Sequence, residues 1–84
     1  MTAFLYILYS ESSHRFYIGS GIDLSLRLFR HNAGHHISTK PYRPWKLVHT
    51  ERFDSLAEAR HRERQIKNWK NPEYMCKTLH IKLK

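Results

Sequence analysis

The residue types that could act on a phosphate are concentrated in residues 16–32, which read FYIGSGIDLSLRLFRHN. Tyr17 places an aromatic hydroxyl two residues before Gly19, whose missing side chain lets a ligand or a second backbone come close. Arg27 and His31 follow at positions i and i+4 of a predicted helix, so both side chains project from one face. A guanidinium and an imidazole beside a tyrosine suit an anionic ligand such as a phosphate, although a surface Arg and a surface His would give the same pattern.

A second candidate is an acidic side chain on the apolar stripe of a later helix. The residues at i, i+3, i+7 and i+10 of this stripe are Leu56, Ala59, Glu63 and Ile66. Burying an ionised carboxylate costs free energy unless the carboxylate is paired or bound to a metal. Glu63 is therefore either half of a salt bridge, with Arg27 as the suggested partner, or a ligand of Mg²⁺, which prefers oxygen donors and keeps several waters.

The charge of the chain predicts a polyanionic partner. Lys and Arg number 15 against 7 Asp and Glu, which gives a formal net charge of +8. Nucleic acid is the favoured partner, because neutralising its phosphates releases counterions, and a basic surface that only aids solubility is the alternative. The side chains predicted to contact phosphates are Lys40, Arg43, Arg60, Arg64 and Lys67. Two of these lie in a polar loop, residues 35–44, where Tyr42 could stack on a base; a solvated loop explains the same residues.

Composition limits the class of protein further. We expect the 84 residues to fold as one domain, residues 1–84, with a small core. The single cysteine, Cys76, excludes an internal disulfide and a zinc site built on a Cys pair. The longest apolar run, residues 4–9, is too short to span a membrane, and no secretory signal is recognised, so a cytoplasmic protein without a membrane partner is expected. His35 and His36 lack further ligands at a recognisable spacing, so no metal site is predicted there.

The chain is predicted to begin with a β-hairpin. Residues 3–9, AFLYILY, are apolar at alternate positions on both faces, as expected of a strand that is covered on two sides. The polar SESS segment indicates a turn, and residues 14–18 return as a second strand. With a two-residue turn at 11–12, Tyr6 would lie directly opposite Tyr17 on one face of the sheet.

A helix and a third strand are predicted next. Asp23 is the expected N-cap of a helix that ends near Asn32, just before a C-terminal stop at residues 33–34, Ala-Gly. Residues 45–53 alternate between apolar and polar side chains, which is typical of a half-buried strand.

The second helix has the clearest start in the sequence. Ser55 and Glu58 form an S-x-x-E capping box, and the helix is predicted to continue to about Lys70. The Asn-Pro pair at residues 71–72 is expected to stop it, because the residue before a proline disfavours helical dihedral angles. Residues 73–83 indicate a weaker terminal helix or an irregular tail.

In combination these segments resemble the GIY-YIG nuclease superfamily, and especially its small single-domain bacterial members. The resemblance covers about residues 3–70, and its motifs occur in the same order: FLYILYS, FYIGSG, DLSLRLFRHNAG, RPWKLVHTERF and EARHRERQIKNWK. One departure is the pair Phe4 and Leu5, which precede Tyr6 where the founding motif has Gly and Ile. This difference concerns the local backbone path more than the chemistry, because the Tyr is kept.

The resemblance implies an α+β fold of the order β-β-α-β-α, in which a small three-stranded antiparallel sheet is flanked by helices. It also implies that five side chains converge on a phosphodiester: Tyr6, Tyr17, Arg27, His31 and Glu63. The implied activity is hydrolysis of DNA by an endonuclease, in repair or recombination, since the chain is similar to the nuclease domain of the excision-repair endonuclease. No small-molecule cofactor is expected.

The same resemblance implies a mechanism. Glu63 would hold Mg²⁺ or Mn²⁺, which polarises the scissile phosphate and stabilises the leaving oxygen. Tyr6 would be the general base, as a phenolate whose pKa is lowered by Arg27 and the metal, and Tyr17 or His31 would position water or relay the proton. Arg27 would also neutralise the charge that develops on the phosphate.

Two other classes of protein share parts of this pattern. One is a non-catalytic nucleic-acid-binding module that keeps the fold, but the joint presence of Tyr6, Arg27 and Glu63 argues against it. The other is a small protein-interaction domain, which binding that weakens steeply with salt would exclude. In the nuclease hypothesis, Gly19 is expected to let the substrate backbone approach the site.

Overall fold

Three strands and three helices follow one another along residues 2–83, the part of the chain that the computed structural model describes. The strands are β1 (Ala3–Ser10), β2 (Arg15–Gly21) and β3 (Lys46–Phe53), and the helices are α1 (Leu24–Ala33), α2 (Leu56–Lys67) and α3 (Pro72–Thr78). One turn of 3₁₀ helix, Lys40–Tyr42, lies in the loop between α1 and β3. The order β-β-α-β-α-α confirms the predicted α+β class. No helix within this range is both long enough and apolar enough to cross a membrane.

β1 is the central strand of an antiparallel sheet with the order β2-β1-β3. Its apolar run is buried on both faces, as predicted: Leu5, Tyr6, Ile7 and Leu8 are each at most 1% exposed. Within the described part of the chain, β2 pairs with β1 alone. Its outer edge therefore leaves backbone N–H and C=O groups free to face solvent or a ligand.

The β1–β2 hairpin turns over four residues, 11–14, and not over two. Tyr6 therefore pairs with Gly19, and Tyr17 pairs with Leu8, so the predicted direct pairing of the two tyrosines is wrong. The SESS segment lacks the glycine that a two-residue turn favours, which explains the wider turn. A shift of two residues keeps both tyrosines on the same face, because strand side chains alternate with a period of two. Their ring centroids lie 6.3 Å apart.

Each face of the sheet is covered by its own helical layer. α2 and α3 cover one face, where the buried residues that pack together include Leu5, Ile7, Ile66 and Met75. α1 covers the opposite face, where the cluster is formed by Tyr6, Leu8, Trp45, Leu24 and Leu28. Side chains from α1 and α2 can therefore meet only around an edge of the sheet.

The predicted helix caps are confirmed. Asp23 accepts a hydrogen bond from the N–H of Leu26 at 3.0 Å, and Ser55 accepts one from the N–H of Glu58 at 3.2 Å. Gly34 ends α1 with φ of 82°, a left-handed conformation that suits a residue without Cβ. The first cap fixes where α1 begins, and hence which of its residues face the sheet.

α2 ends at Lys67, before the predicted end at Lys70. Lys70 has a left-handed backbone, with φ of 52°, and the Asn71 side chain accepts a hydrogen bond from the N–H of Tyr74. Asn71 is thus the N-cap of α3, and Pro72 fits its first turn because a proline lacks only an N–H that would be unpaired there. The Asn-Pro pair starts a new helix, and residues 72–78 are not an irregular tail.

Candidate active site

Three of the predicted catalytic side chains meet on the α1 side of the sheet. Tyr6 of β1 and His31 of α1 are 1% and 0% exposed, and the Tyr6 hydroxyl oxygen lies 3.3 Å from Nε2 of His31. The centroids of the Tyr17 and His31 rings are 4.6 Å apart. The hairpin and the inner face of α1 therefore bring two phenols and one imidazole into a contiguous group.

Gly19 makes this arrangement sterically possible. It pairs with Tyr6 across the hairpin, and a Cβ atom at its position would lie 2.6 Å from the Tyr6 hydroxyl oxygen and 2.9 Å from a Tyr17 ring carbon. Contacts that short essentially never occur, so a larger residue would displace the tyrosines. Gly19 is buried and accommodates the two rings, whereas its predicted contact with a substrate backbone stays a prediction.

Arg27 reaches the same group from α1. Its side chain crosses Gly21, where a Cβ would lie 2.7 Å from the Arg27 Nε atom. Burial, with the charge of Tyr17, raises the pKa of Tyr6 to about 12, and the positive charge of Arg27 acts in the opposite direction without outweighing them. Arg27 thus acts on the Tyr6 pKa in the predicted direction, but in the protein without metal burial outweighs it; the lowering by a bound metal stays a prediction. Tyr6 is a neutral hydroxyl at pH 7.

His31 is held as a neutral imidazole. Burial, together with the charges of His36 and Arg27, lowers its pKa to about 4. Its Nδ1 atom lies 2.9 Å from the hydroxyl oxygen of Thr39, and the His36 ring stacks on it with a centroid distance of 4.4 Å. A neutral imidazole has one unprotonated nitrogen, so His31 is able to accept a proton.

Glu63 lies on α2, on the other side of the sheet. The Ser20 hydroxyl donates a hydrogen bond to its Oε1 at 2.6 Å, and the Lys67 ammonium donates one to its Oε2 at 2.6 Å. Successive residues of β2 face opposite sides, so Ser20 faces α2 while Tyr17 faces α1. Glu63 and the tyrosine–histidine group therefore approach each other around the free edge of β2.

The ion pair of Glu63 differs from the one that the sequence suggested. Its partner is Lys67 of the same helix and not Arg27. Lys67, which was predicted to contact phosphate, is thus occupied by the carboxylate. The Glu63 side chain is 20% exposed and the Lys67 side chain 50%, so water reaches the pair. After burial and the charge of Tyr17, the charge of Glu63 also contributes to the raised pKa of Tyr6, so the carboxylate acts on that hydroxyl across the strand.

The donor set around Glu63 fits one kind of metal site. No group of three or more His, Cys, Asp or Glu side chains within residues 2–83 is placed to hold an ion by itself. One carboxylate with a neighbouring hydroxyl matches Mg²⁺, which is commonly held by one or two carboxylates and completed by water and substrate phosphates. A divalent ion at Oε2 would displace Lys67, because the two cations repel each other.

A groove of about 620 Å³ runs along the free edge of β2 beside this site. Its basic and aromatic lining residues include His14, Arg15, Tyr17, Tyr42, Lys67 and Lys70. The Arg15 guanidinium lies 4.3 Å above the centre of the Tyr42 ring, which braces the cation at the groove. Arg15 and Lys70 were not among the side chains predicted to contact phosphate, because each looks in the sequence like an ordinary charge at the end of an element.

The remaining predicted phosphate contacts are exposed: Lys40, Arg43, Arg60 and Arg64. Arg43 donates from Nε to the carbonyl oxygen of Lys40 at 2.9 Å, and contacts of all four with DNA stay predictions. Sequence reasoning also missed Ser20 and Thr39. The position of Ser20 between two glycines of β2 was a usable signal, whereas Thr39 lies in an irregular loop without one.

Known proteins are similar to this chain in sequence and in fold. A family model described as the GIY-YIG catalytic domain matches residues 2–76. A UPF0213 protein of Syntrophus aciditrophicus is 40% identical over 72 residues, which span 83% of this chain and 82% of that protein. A UPF0213 protein of Natronomonas pharaonis is 38% identical over 66 residues, or 77% and 76% of the two chains. The solution NMR structure of a UPF0213 protein from Bacillus halodurans matches with a TM-score of 0.50 and 30% identity, covering 81% of this chain and 72% of that one.

Proposed function

The chain belongs to the GIY-YIG family, and we propose that it is a divalent-metal-dependent endonuclease that hydrolyses phosphodiester bonds of DNA. The observation that carries the proposal is the meeting of Tyr6, Tyr17 and His31 next to Arg27. Glu63 approaches the same edge of β2 from α2. A phosphodiester at this edge would have proton-transfer groups on one side and a carboxylate on the other. A role in DNA repair or recombination and a cytoplasmic location, both expected from the sequence, complete the proposal.

The attacking water gives its proton to the Tyr6 hydroxyl oxygen while that hydroxyl passes its own proton to Nε2 of His31. The coupled transfer is needed because Tyr6, with a pKa raised to about 12 by burial, is neutral and cannot accept a proton while it keeps its own. His31 is also neutral and lies within reach, at 3.3 Å. His31 holds the proton only briefly as an imidazolium, because its pKa of about 4 makes it a weak base. Tyr17, whose ring packs on His31, positions the water.

Arg27, and Glu63 through a divalent ion that it would hold, stabilise the negative charge that develops during the reaction. The Arg27 guanidinium stabilises the negative charge that develops on the phosphate. Glu63 would hold Mg²⁺ or Mn²⁺ with the Ser20 hydroxyl beside it, and the bound ion supplies polarisation of the phosphate and stabilisation of the leaving oxygen. Lys67, released from Glu63, is then free to contact a phosphate, which is the role that the sequence suggested.

The DNA strand that leaves the site follows the groove along β2. Arg15 and Lys70 supply phosphate contacts there, and Tyr42 holds the Arg15 guanidinium in place. The net charge of +8 supports a polyanionic partner of this kind. Further phosphates would be contacted by the exposed side chains of Lys40, Arg43, Arg60 and Arg64.

Incubation with supercoiled plasmid tests the proposal. Nicking should require Mg²⁺ or Mn²⁺, stop on addition of a chelator, fall steeply in Tyr6→Phe and disappear in Glu63→Gln. Glu58→Gln is the matched control, because it makes the same change on the same helix at an exposed capping-box position that accepts Gln. Salt-dependent DNA binding without cleavage in either metal would instead identify a non-catalytic nucleic-acid-binding module.

A further inference from the structure

Thr39 lies in the loop after α1 with 2% of its surface exposed. Its hydroxyl oxygen is 2.9 Å from Nδ1 of His31 and 3.3 Å from the carbonyl oxygen of His36. Three hydrogen bonds of the Thr39 backbone fix the residue without using its hydroxyl. Its carbonyl accepts from Nε1–H of Trp45 at 2.9 Å and from the N–H of Tyr42 at 3.1 Å, and its N–H donates to the His36 carbonyl at 3.2 Å. A fixed backbone thus presents the hydroxyl to His31.

The single hydroxyl hydrogen of Thr39 has two acceptors within reach. One is the His36 carbonyl at 3.3 Å, which also accepts from the N–H groups of Thr39 and Lys40, and the other is an unprotonated Nδ1 of His31 at 2.9 Å. When the hydrogen points to the carbonyl, the Thr39 oxygen offers only lone pairs to His31, so Nδ1 carries the hydrogen of the neutral imidazole and Nε2 accepts from the Tyr6 hydroxyl at 3.3 Å.

We propose that Thr39 is a positioning residue: it selects the Nδ1–H tautomer of His31 and so leaves Nε2 free to take the proton of Tyr6. Tautomer selection is a property of the free protein, whereas its catalytic consequence rests on the proposed function. In the other tautomer, Nε2–H would point at the Tyr6 hydroxyl, which would then lack its acceptor. The His36 ring stacked on His31 restricts rotation of the imidazole away from this geometry.

Thr39→Val tests the proposal, because Val keeps the branched shape and removes the hydroxyl. The backbone bonds of Thr39 do not involve the side chain, so the loop should fold as before. Thr39→Ser restores a hydroxyl, and Thr50→Val makes the same change as Thr39→Val at an exposed position of β3. The readouts are ¹⁵N NMR of the His31 imidazole near pH 7, without DNA or metal, and plasmid nicking.

The wild type and Thr39→Ser should show a protonated Nδ1 and an unprotonated Nε2. In Thr39→Val the hydrogen should move partly or wholly to Nε2, and nicking should fall by about ten- to a hundredfold. Thr50→Val should match the wild type in both readouts. The proposal is overturned if wild-type His31 carries its hydrogen on Nε2, or if Thr39→Val keeps the Nδ1–H tautomer.

The two readouts separate the proposal from the nuclease function. If the wild type fails to nick DNA with Mg²⁺ and with Mn²⁺, the proposed function is refuted. The NMR comparison would still decide whether Thr39 selects the tautomer. A changed tautomer in Thr39→Val together with wild-type nicking would overturn the catalytic role of Thr39.

Discussion

The ring of Tyr6 packs in the core, whereas its hydroxyl is proposed to transfer a proton, and a substitution can remove one without the other. The ring packs with Leu8 and Trp45, and Tyr6→Phe keeps it in place while it removes the hydroxyl. We expect nicking to fall by about two to four orders of magnitude, because the proton relay to His31 loses its first member. The free energy of unfolding should fall by only about 1 kcal/mol, for one lost hydrogen bond. Nicking kinetics and urea unfolding on the same preparation check both parts.

Tyr17→Phe is the comparison for this variant. Tyr17 contacts His31 through its ring, so the loss of its hydroxyl should cost less activity than the loss of the Tyr6 hydroxyl. Full activity in Tyr6→Phe would exclude Tyr6 as the group that takes the proton from water. The Tyr17 hydroxyl or His31 would then be the remaining candidate.

Glu63 distinguishes an enzyme from a binding module. Glu63→Gln keeps the shape and the acceptor for Ser20 but removes the charge that a divalent ion needs. Nicking should be lost, while metal-free DNA binding should persist or tighten, because repulsion from phosphate disappears and Lys67 is released. Unfolding free energy should change by less than about 1 kcal/mol, since solvent reaches the pair with Lys67. A destabilised variant that still nicks DNA would contradict the assignment.

At the scale of elements, the sequence predicted those features that depend on residues close together in the chain. The apolar run of β1, the caps Asp23 and Ser55, and the burial of Ala59 and Ile66 on one stripe of α2 are all confirmed. Two boundaries were wrong. The hairpin turns over four residues because SESS lacks the glycine of a two-residue turn, and α2 ends three residues before Lys70, since Asn71 is the N-cap of α3.

The candidate site was predictable to a similar degree. Tyr17, Arg27 and His31 belong to one segment, so their proximity follows from one strand and one helix. The hydrogen-bond partners of the hydroxyl groups could not be predicted. The bond from Ser20 to Glu63, for example, depends on how α2 packs against β2. The net pKa shift of Tyr6 in the protein without metal could not be predicted for the same reason: the burial that outweighs Arg27 is known only once the layers are assembled.

Glu51 connects β3 to α2. Its carboxylate accepts hydrogen bonds from Nε of Arg62 and Nε2 of His49, both at 2.8 Å. Burial alone would raise the pKa of Glu51, but the hydrogen bonds from Arg62 and His49 outweigh burial and lower it. Because the folded-state pKa lies below the unfolded value, the carboxylate stabilises the fold above the unfolded pKa. This stabilisation is lost as the pH falls through the folded pKa.

Glu51→Gln should therefore destabilise the protein in a pH-dependent manner. At pH 7 we expect the free energy of unfolding to fall by roughly 1–2 kcal/mol, the range for hydrogen bonds to a partly exposed charge. The difference from the wild type should shrink as the pH falls below the ordinary glutamate pKa of about 4.3 and on through the lowered pKa of folded Glu51. Urea unfolding from pH 7 to pH 3 measures this, with Glu11→Gln in the exposed hairpin turn as the control. A difference that is unchanged at pH 3 would show that the charge is not what stabilises the contact.

On the scale of the whole molecule, the question is whether the net charge of +8 acts as a diffuse field or along a defined path. Arg15→Ala and Lys70→Ala each remove one charge from the groove at β2. Arg52→Ala removes one charge from an exposed position of β3, at the opposite edge of the sheet. A diffuse field predicts the same loss of DNA affinity in all three variants, since each lowers the net charge equally.

Direct phosphate contacts predict a different result. A plot of log affinity against log salt concentration has a negative slope, and each groove variant should make that slope shallower by about one, because one fewer phosphate is neutralised. Arg52→Ala should keep the wild-type slope. Fluorescence anisotropy with a short labelled DNA at four salt concentrations, in chelator so that no cleavage occurs, measures the slopes. The loss in the groove variants should also be the same for DNA of different sequence, because phosphate contacts carry no base information. Equal slopes in all three variants would remove the groove from the DNA path and leave the charge as a long-range attraction only.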